Sequence, residues 1–126
     1  MLAQFTAVGI GAALGGWLRW GLSMWLNPRA PAFPLGTLVS NLIGGYLVGF
    51  FVAFFLARAD VAPEWRLFVI TGFLGGLTTF STFSAEVSEH LMQGNYGTGA
   101  LLAAVHLCGS LLLTVAGFAT FRALTA

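Results

Sequence analysis

Four groups of residues in this chain have types and spacings that could act on a small ion. Phe80 and Phe83 stand on one helical face among Ser81, Thr82 and Ser84. An aromatic ring is negative on its face and positive at its edge, so ring edges with hydroxyls beside them offer a small anion donors without a fixed charge. That suits conduction, because a site that passes an ion must also release it. Phenylalanines at this spacing more often pack in a core or face lipid; the hydroxyls are what a merely greasy helix would not need. Asn41 interrupts an apolar run, and at 1.5 Å per residue from Pro34 it lies roughly 10 Å into a helix. An amide at that depth either bonds a neighbouring helix or lines a polar path. His106, Ser110 and Thr114 follow at i, i+4 and i+8, a polar stripe on an otherwise apolar helix.

The fourth group is main chain. Between Gly72 and Ser84, Gly72, Gly75 and Gly76 weaken helix propagation and Thr78-Thr79 compete for backbone hydrogen bonds. The stretch predicts a helix, a short unwound turn near Gly75 to Thr79, and a second helix. Such a break presents carbonyls from the first half and N–H groups from the second. Its carbonyls could hold a small cation such as sodium, since no acidic side chain lies near, and a second antiparallel chain meeting it there would double the ligands. The plainer alternative is a packing kink.

These groups need a scaffold, and composition says which kind. Of 126 residues, 58% are hydrophobic and 7% charged, against roughly 25% charged in soluble domains; mean hydropathy is +0.90. This is the profile of a membrane protein. Uncharged runs at 1–18, 30–57, 67–85 and 90–121 each approach the span length of about 20 residues. The reading is therefore an all-α membrane protein, one domain over 1–126. Its four transmembrane helices are expected at about 2–26, 35–57, 64–93 (broken near 75–79) and 98–124. Gly11 and Gly15, then Gly45 and Gly49, recur at the spacing that lets helices approach closely. No basic segment precedes the first apolar run, so a cleaved signal peptide is not expected. Cys108 has no partner for a disulfide within the chain, and a net charge of +1 makes no case for nucleic acid.

Charge also bears on orientation. Arg58, Arg66 and Arg122 fall on the side of the termini, Arg29 on the other, joined by Arg19 if that side chain snorkels outward instead of facing a vestibule. The near tie scarcely chooses an orientation, which would permit an antiparallel homodimer. Four short helices alone enclose little volume, so a polar path needs a partner chain.

Several function classes can be weighed on these residues. His106 and Ser110 could be cast as base and nucleophile, yet helix four has no acid to orient the histidine and no oxyanion donors are evident, so an enzyme is not expected. Two histidines and one cysteine form no recognisable ligand set. A proton-coupled small exporter of the four-helix dual-topology type would use a carboxylate deep in a span, whereas Asp60, Glu64, Glu86 and Glu89 fall in loops or near helix ends. A non-conducting packing subunit would explain the glycines but not the aligned polar stripes.

Three stretches carry a resemblance to a known family: Gly11 through Trp20, Gly36 through Gly44 and, most specifically, Gly72 through Ser84. With them the chain resembles the Fluc fluoride channels, also called CrcB-type proteins, over essentially its whole length. Trp20 stands where that family commonly has tyrosine, and helix four matches only loosely. The resemblance implies an antiparallel dual-topology homodimer, multi-pass in the cell inner membrane, that passively and selectively exports fluoride through two pores. Carried over, it implies that Phe80 and Phe83 contact fluoride by their ring edges and that Asn41 is a pore-lining amide. Ser110 and Thr114 would form a polar track, and the main-chain carbonyls of Gly75 and Thr78 would hold a structural sodium ion (Na+) at the dimer interface. Thr37, Glu86 and Arg19 correspond to vestibule positions. The residues alone reach only a small anion met by donors without fixed charge.

Overall fold

Proline and asparagine set the first boundary. α1, Leu2–Leu26, runs into a single 3-10 turn at Asn27–Arg29, because Pro28 cannot continue the α-helical ladder. The Asn27 side-chain oxygen then accepts the backbone N–H of Gly36 at 2.8 Å, tying the start of α2, Leu35–Ala57, to the end of α1. Pro63 opens the next run, where its missing N–H leaves no bond unmade. That run is α3, Pro63–Arg66, then wider π-helical turns over Leu67–Leu74, then α4, Gly75–Leu77. Thr78 and Thr79 are extended, with φ/ψ of −91/153 and −151/119. α5, Phe80–Met92, follows, and Gly94 at φ +80 turns the chain into α6, Tyr96–Thr125. These elements come from a computed structural model that describes residues 1–126. It contains no strand.

Three helical segments are long and apolar enough to cross a membrane: Leu35–Ala57, Pro63–Met92 and Tyr96–Thr125. α1 has the length, but Gln4, Thr6, Arg19 and its many glycines lower its apolarity. Large side chains such as Phe5, Trp17, Leu112 and Val115 are exposed around the bundle, as expected of a surface solvated by lipid.

Glycine decides how the helices meet. A Cβ at Gly49 would overlap the Thr114 carbonyl, and one at Gly117 the Tyr46 carbonyl, so α2 and α6 pack backbone to backbone. Gly11 and Gly15 of α1 meet the main chain of Phe68, Phe73 and Leu77 in the same way, and Gly72 and Gly76 complete that seam from the opposite side. Hence Gly75 to Leu77 stay helical where unwinding was expected over Gly75 to Thr79: Gly76 is occupied in packing against α1. Non-helical backbone is confined to the two threonines. Their β-branched side chains favour the extended region. Thr79 also serves as the N-cap of α5, its hydroxyl accepting the Thr82 N–H at 3.1 Å.

Candidate functional site

Extended backbone inside a bundle needs partners for its N–H and C=O groups. One side chain supplies both at Thr79. The Asn41 Oδ1 accepts the Thr79 N–H at 2.8 Å, and the Asn41 Nδ2 donates to the Thr79 carbonyl at 3.1 Å. The amide thus pairs with this residue as a neighbouring strand would. Its second N–H points at His106 Nδ1, 3.1 Å away on α6. An amide nitrogen can only donate, so Nδ1 must accept and the imidazole proton must sit on Nε2. His106 is 3% exposed, and its Nε2 has no hydrogen-bond partner. A buried N–H donor is left open.

His106 is also one of the residues around a pocket of about 370 Å³ whose walls include Asn41, Thr79, Phe80, Phe83 and Ser110. Phe83 lies against the imidazole, ring centroids 4.6 Å apart at 31°, and Phe80 meets Phe83 edge-on at 5.4 Å and 71°. Phe80 is 76% exposed, so one wall of the pocket faces outward. The floor is main chain. Thr78 N–H returns to the Leu74 carbonyl, Thr79 N–H goes to Asn41, and no N–H from the start of α5 reaches back to Gly75 or Thr78. The Gly75 and Thr78 carbonyls therefore keep free lone pairs beside the pocket, with Gly75 itself exposed. The Thr78 hydroxyl is not available, since it donates to the Leu74 carbonyl at 2.8 Å.

The residues singled out from sequence separate in space. Phe80, Phe83, Asn41, Ser110, Gly75 and Thr78 border this pocket. Thr114 does not: its hydroxyl hydrogen is shared between the carbonyls of Gly45 and Ser110, at 2.9 and 2.8 Å, inside the α2–α6 seam. Thr37 and Glu86 form a second polar site, the Thr37 hydroxyl donating to Glu86 Oε1 at 2.6 Å. Glu86 is half-buried within the apolar segment Pro63–Met92, and its Oε2 is buried without a partner, so it does not simply close the helix toward water. Arg19 reaches neither; its Nε donates to the Gly76 carbonyl at 3.0 Å. The residue that sequence reasoning undervalued is His106. Its place in the stripe was visible, but only the bond to Asn41 reveals which nitrogen is free.

A family model described as CrcB-like protein, camphor resistance (CrcB), matches residues 6–118. The chain belongs to the CrcB family. Among curated relatives, the fluoride-specific ion channel FluC of Thiobacillus denitrificans is 58% identical over 121 residues, which is 96% of this chain and 98% of that protein. The FluC proteins of Cupriavidus taiwanensis and Ralstonia pickettii are 59% and 58% identical, over 95% and 94% of this chain and the same shares of theirs. The relatives are named as ion channels, not enzymes, and the pocket agrees with that class. It gathers two aromatic rings, a histidine and free carbonyls, with no nucleophile activated by a base.

Proposed function

We propose that this CrcB-family chain conducts fluoride passively across the cell inner membrane as an antiparallel, dual-topology homodimer with two pores. In this reading α1 is the fourth span, and the third is interrupted in mid-membrane at Thr78–Thr79. Fluoride passes the edges of Phe80 and Phe83 and takes donors from His106 Nε2 and the Ser110 hydroxyl. Asn41 borders the path, but with both its N–H groups engaged it acts by holding Thr79 and fixing the imidazole tautomer. The observation that carries the reading is a pocket bordered by two aromatic rings, by Ser110 and by His106, whose buried Nε2 has no partner within the chain.

The second copy is argued from the outward wall. Gly11, Gly15, Gly72 and Gly76 in the α1 seam are each forced by a neighbour in the same chain, whereas a Cβ at exposed Gly75 would meet only the Ile70 carbonyl at an ordinary 3.7 Å. Gly75 and Phe80 are thus free to take a partner subunit. Main-chain carbonyls of Gly75 and Thr78 from both copies would supply an oxygen cage of the kind a hard monovalent cation accepts. Bound there, Na+ would neutralise the converging carbonyl dipoles and hold the two copies together.

The test is efflux from proteoliposomes, fluoride against chloride, with and without a proton gradient. Fluoride-selective efflux indifferent to the gradient is expected. Glu86, half-buried in an apolar segment, is the one feature that favours a proton-coupled exporter, and efflux that stops when the gradient is collapsed would select it. Replacing Phe80 and Phe83 together by Ile should abolish fluoride efflux while the protein still elutes as a dimer; wild-type efflux from that variant removes the rings from the path.

A further inference from the structure

The helical run 63–77 ends at Leu77, so its last carbonyls have no N–H one turn ahead, and they carry the negative end of the helix dipole. One of these carbonyls, and the extended residue just beyond them, are held by side chains from different helices. Asn41 of α2 holds Thr79. On the other side, Arg19 of α1 gives its Nε–H to the Gly76 carbonyl at 3.0 Å, a contact that spans 57 residues of sequence. It is Arg19's only hydrogen bond within the chain.

The packing explains how the arginine gets there. Gly11 and Gly15 let α1 lie against the main chain of Phe68, Phe73 and Leu77, and a Cβ at Gly76 would strike the Ala12 carbonyl and crowd the Gly16 N–H. Arg19 sits one turn beyond Gly15 on the same face, which brings its guanidinium level with the end of α4. A snorkelling arginine would carry its whole head group to interfacial water. This one is half-buried, with Nε spent on a main-chain oxygen.

We infer that Arg19 is a positioning residue: through the Gly76 carbonyl it clamps the last turn of α4, and so aims the flanking Gly75 and Thr78 carbonyls and the start of the pocket floor. The role depends on a directed, charge-assisted N–H···O bond and not on positive charge alone. It rests on the channel reading only for its effect on flux.

The experiment uses the full-length protein in lipid bilayers, labelled with carbonyl-¹³C glycine and ¹⁵N leucine. Only Gly21-Leu22 and Gly76-Leu77 are Gly-Leu pairs, so a carbonyl–nitrogen correlation spectrum shows two signals, with Gly21 as the internal control. Arg19→Met should move the Gly76 carbonyl signal by more than its linewidth and leave Gly21 in place. Fluoride efflux should fall about tenfold or more, the scale of one lost charged hydrogen bond. Arg19→Lys keeps the charge but lacks the Nε–H at that position, and should also displace the Gly76 signal and lower efflux. If Arg19→Met does not assemble, Arg19→Lys carries the test through the same signal. A Gly76 signal unmoved in the assembled variant, or wild-type efflux in Arg19→Lys, overturns the inference. Because the carbonyl signal is read whether or not the protein conducts, absent fluoride flux in the wild type would sink the channel reading alone.

Discussion

The α2–α6 seam and the pocket beside Thr79 are built from the same residue types, glycine, serine and threonine, yet one is closed and the other open. In the seam, hydroxyls are consumed by helix carbonyls. Thr114 bonds Ser110 and Gly45, Thr120 bonds Ala116 at 2.8 Å, and Tyr46 reaches Thr120 at 2.9 Å, so each of these three hydroxyls is spent. Beside Thr79 the backbone is extended, so carbonyls lose their helical partners and side chains must step in. They do so incompletely, and the remainder is the pocket: free carbonyls at Gly75 and Thr78 and a free N–H on His106. Thr114 and Thr120 return their hydroxyls to the carbonyls of a continuous helix, whereas free main-chain capacity appears where helical geometry stops.

The contrast can be broken hardest at the seam. Gly49→Ala drives a Cβ into the Thr114 carbonyl, where backbone on both sides cannot yield; overpacking of this kind costs about 1–3 kcal/mol or more. Loss of the monodisperse species in size-exclusion chromatography is the expected result. Next comes Asn41→Leu, which keeps volume but orphans both polar groups of Thr79, at about 1–3 kcal/mol each. Fluoride efflux should disappear and the melting temperature in detergent should drop; a variant with normal melting and normal efflux would mean that Thr79 needs no such partner.

A finer comparison sets Ser110 against Thr114, one turn apart on α6. Ser110 borders the pocket and its hydroxyl has no donor role elsewhere, while the Thr114 hydroxyl is committed to the seam. Ser110→Ala should lower efflux severalfold with little change in melting. Thr114→Val should cost about 1 kcal/mol of stability and leave efflux near wild type. The reverse pattern would move the conducting path to the seam.

The smallest effect is expected outside the membrane. Arg58 donates to both carboxylate oxygens of Asp60 at 2.9 and 2.8 Å, and this pairing holds the Asp60 carboxyl down at about 2 from its ordinary 3.8. A depressed carboxylate pKa stabilises the fold above the ordinary value and loses that contribution as pH falls through about 2. Both side chains are more than half exposed, so the pair is heavily screened. Asp60→Asn should leave melting at neutral pH unchanged within error. A clear loss would show that this loop is held more tightly than a solvated ion pair permits.

Much of this was legible before any coordinates. Apolar run lengths and Pro28, Pro34 and Pro63 place helix boundaries, because a span must be long enough for the bilayer and proline cannot donate to the ladder. Phe80 and Phe83 share a face by periodicity alone. Those are local properties, carried by neighbours in the chain. Sequence could not tell that Asn41 spends both its N–H groups, that Thr114 is locked in a seam while Ser110 is open, that Glu86 is bonded to Thr37, or that Arg19 ends on Gly76. Each of those depends on which donor meets which acceptor across helices, and hydrogen bonds are settled by distances of a few tenths of an ångström that only packing determines. Residue types set what this chain is able to bond; the close glycine-to-backbone approach of its helices decided which of those groups were used up and which were left facing the pocket.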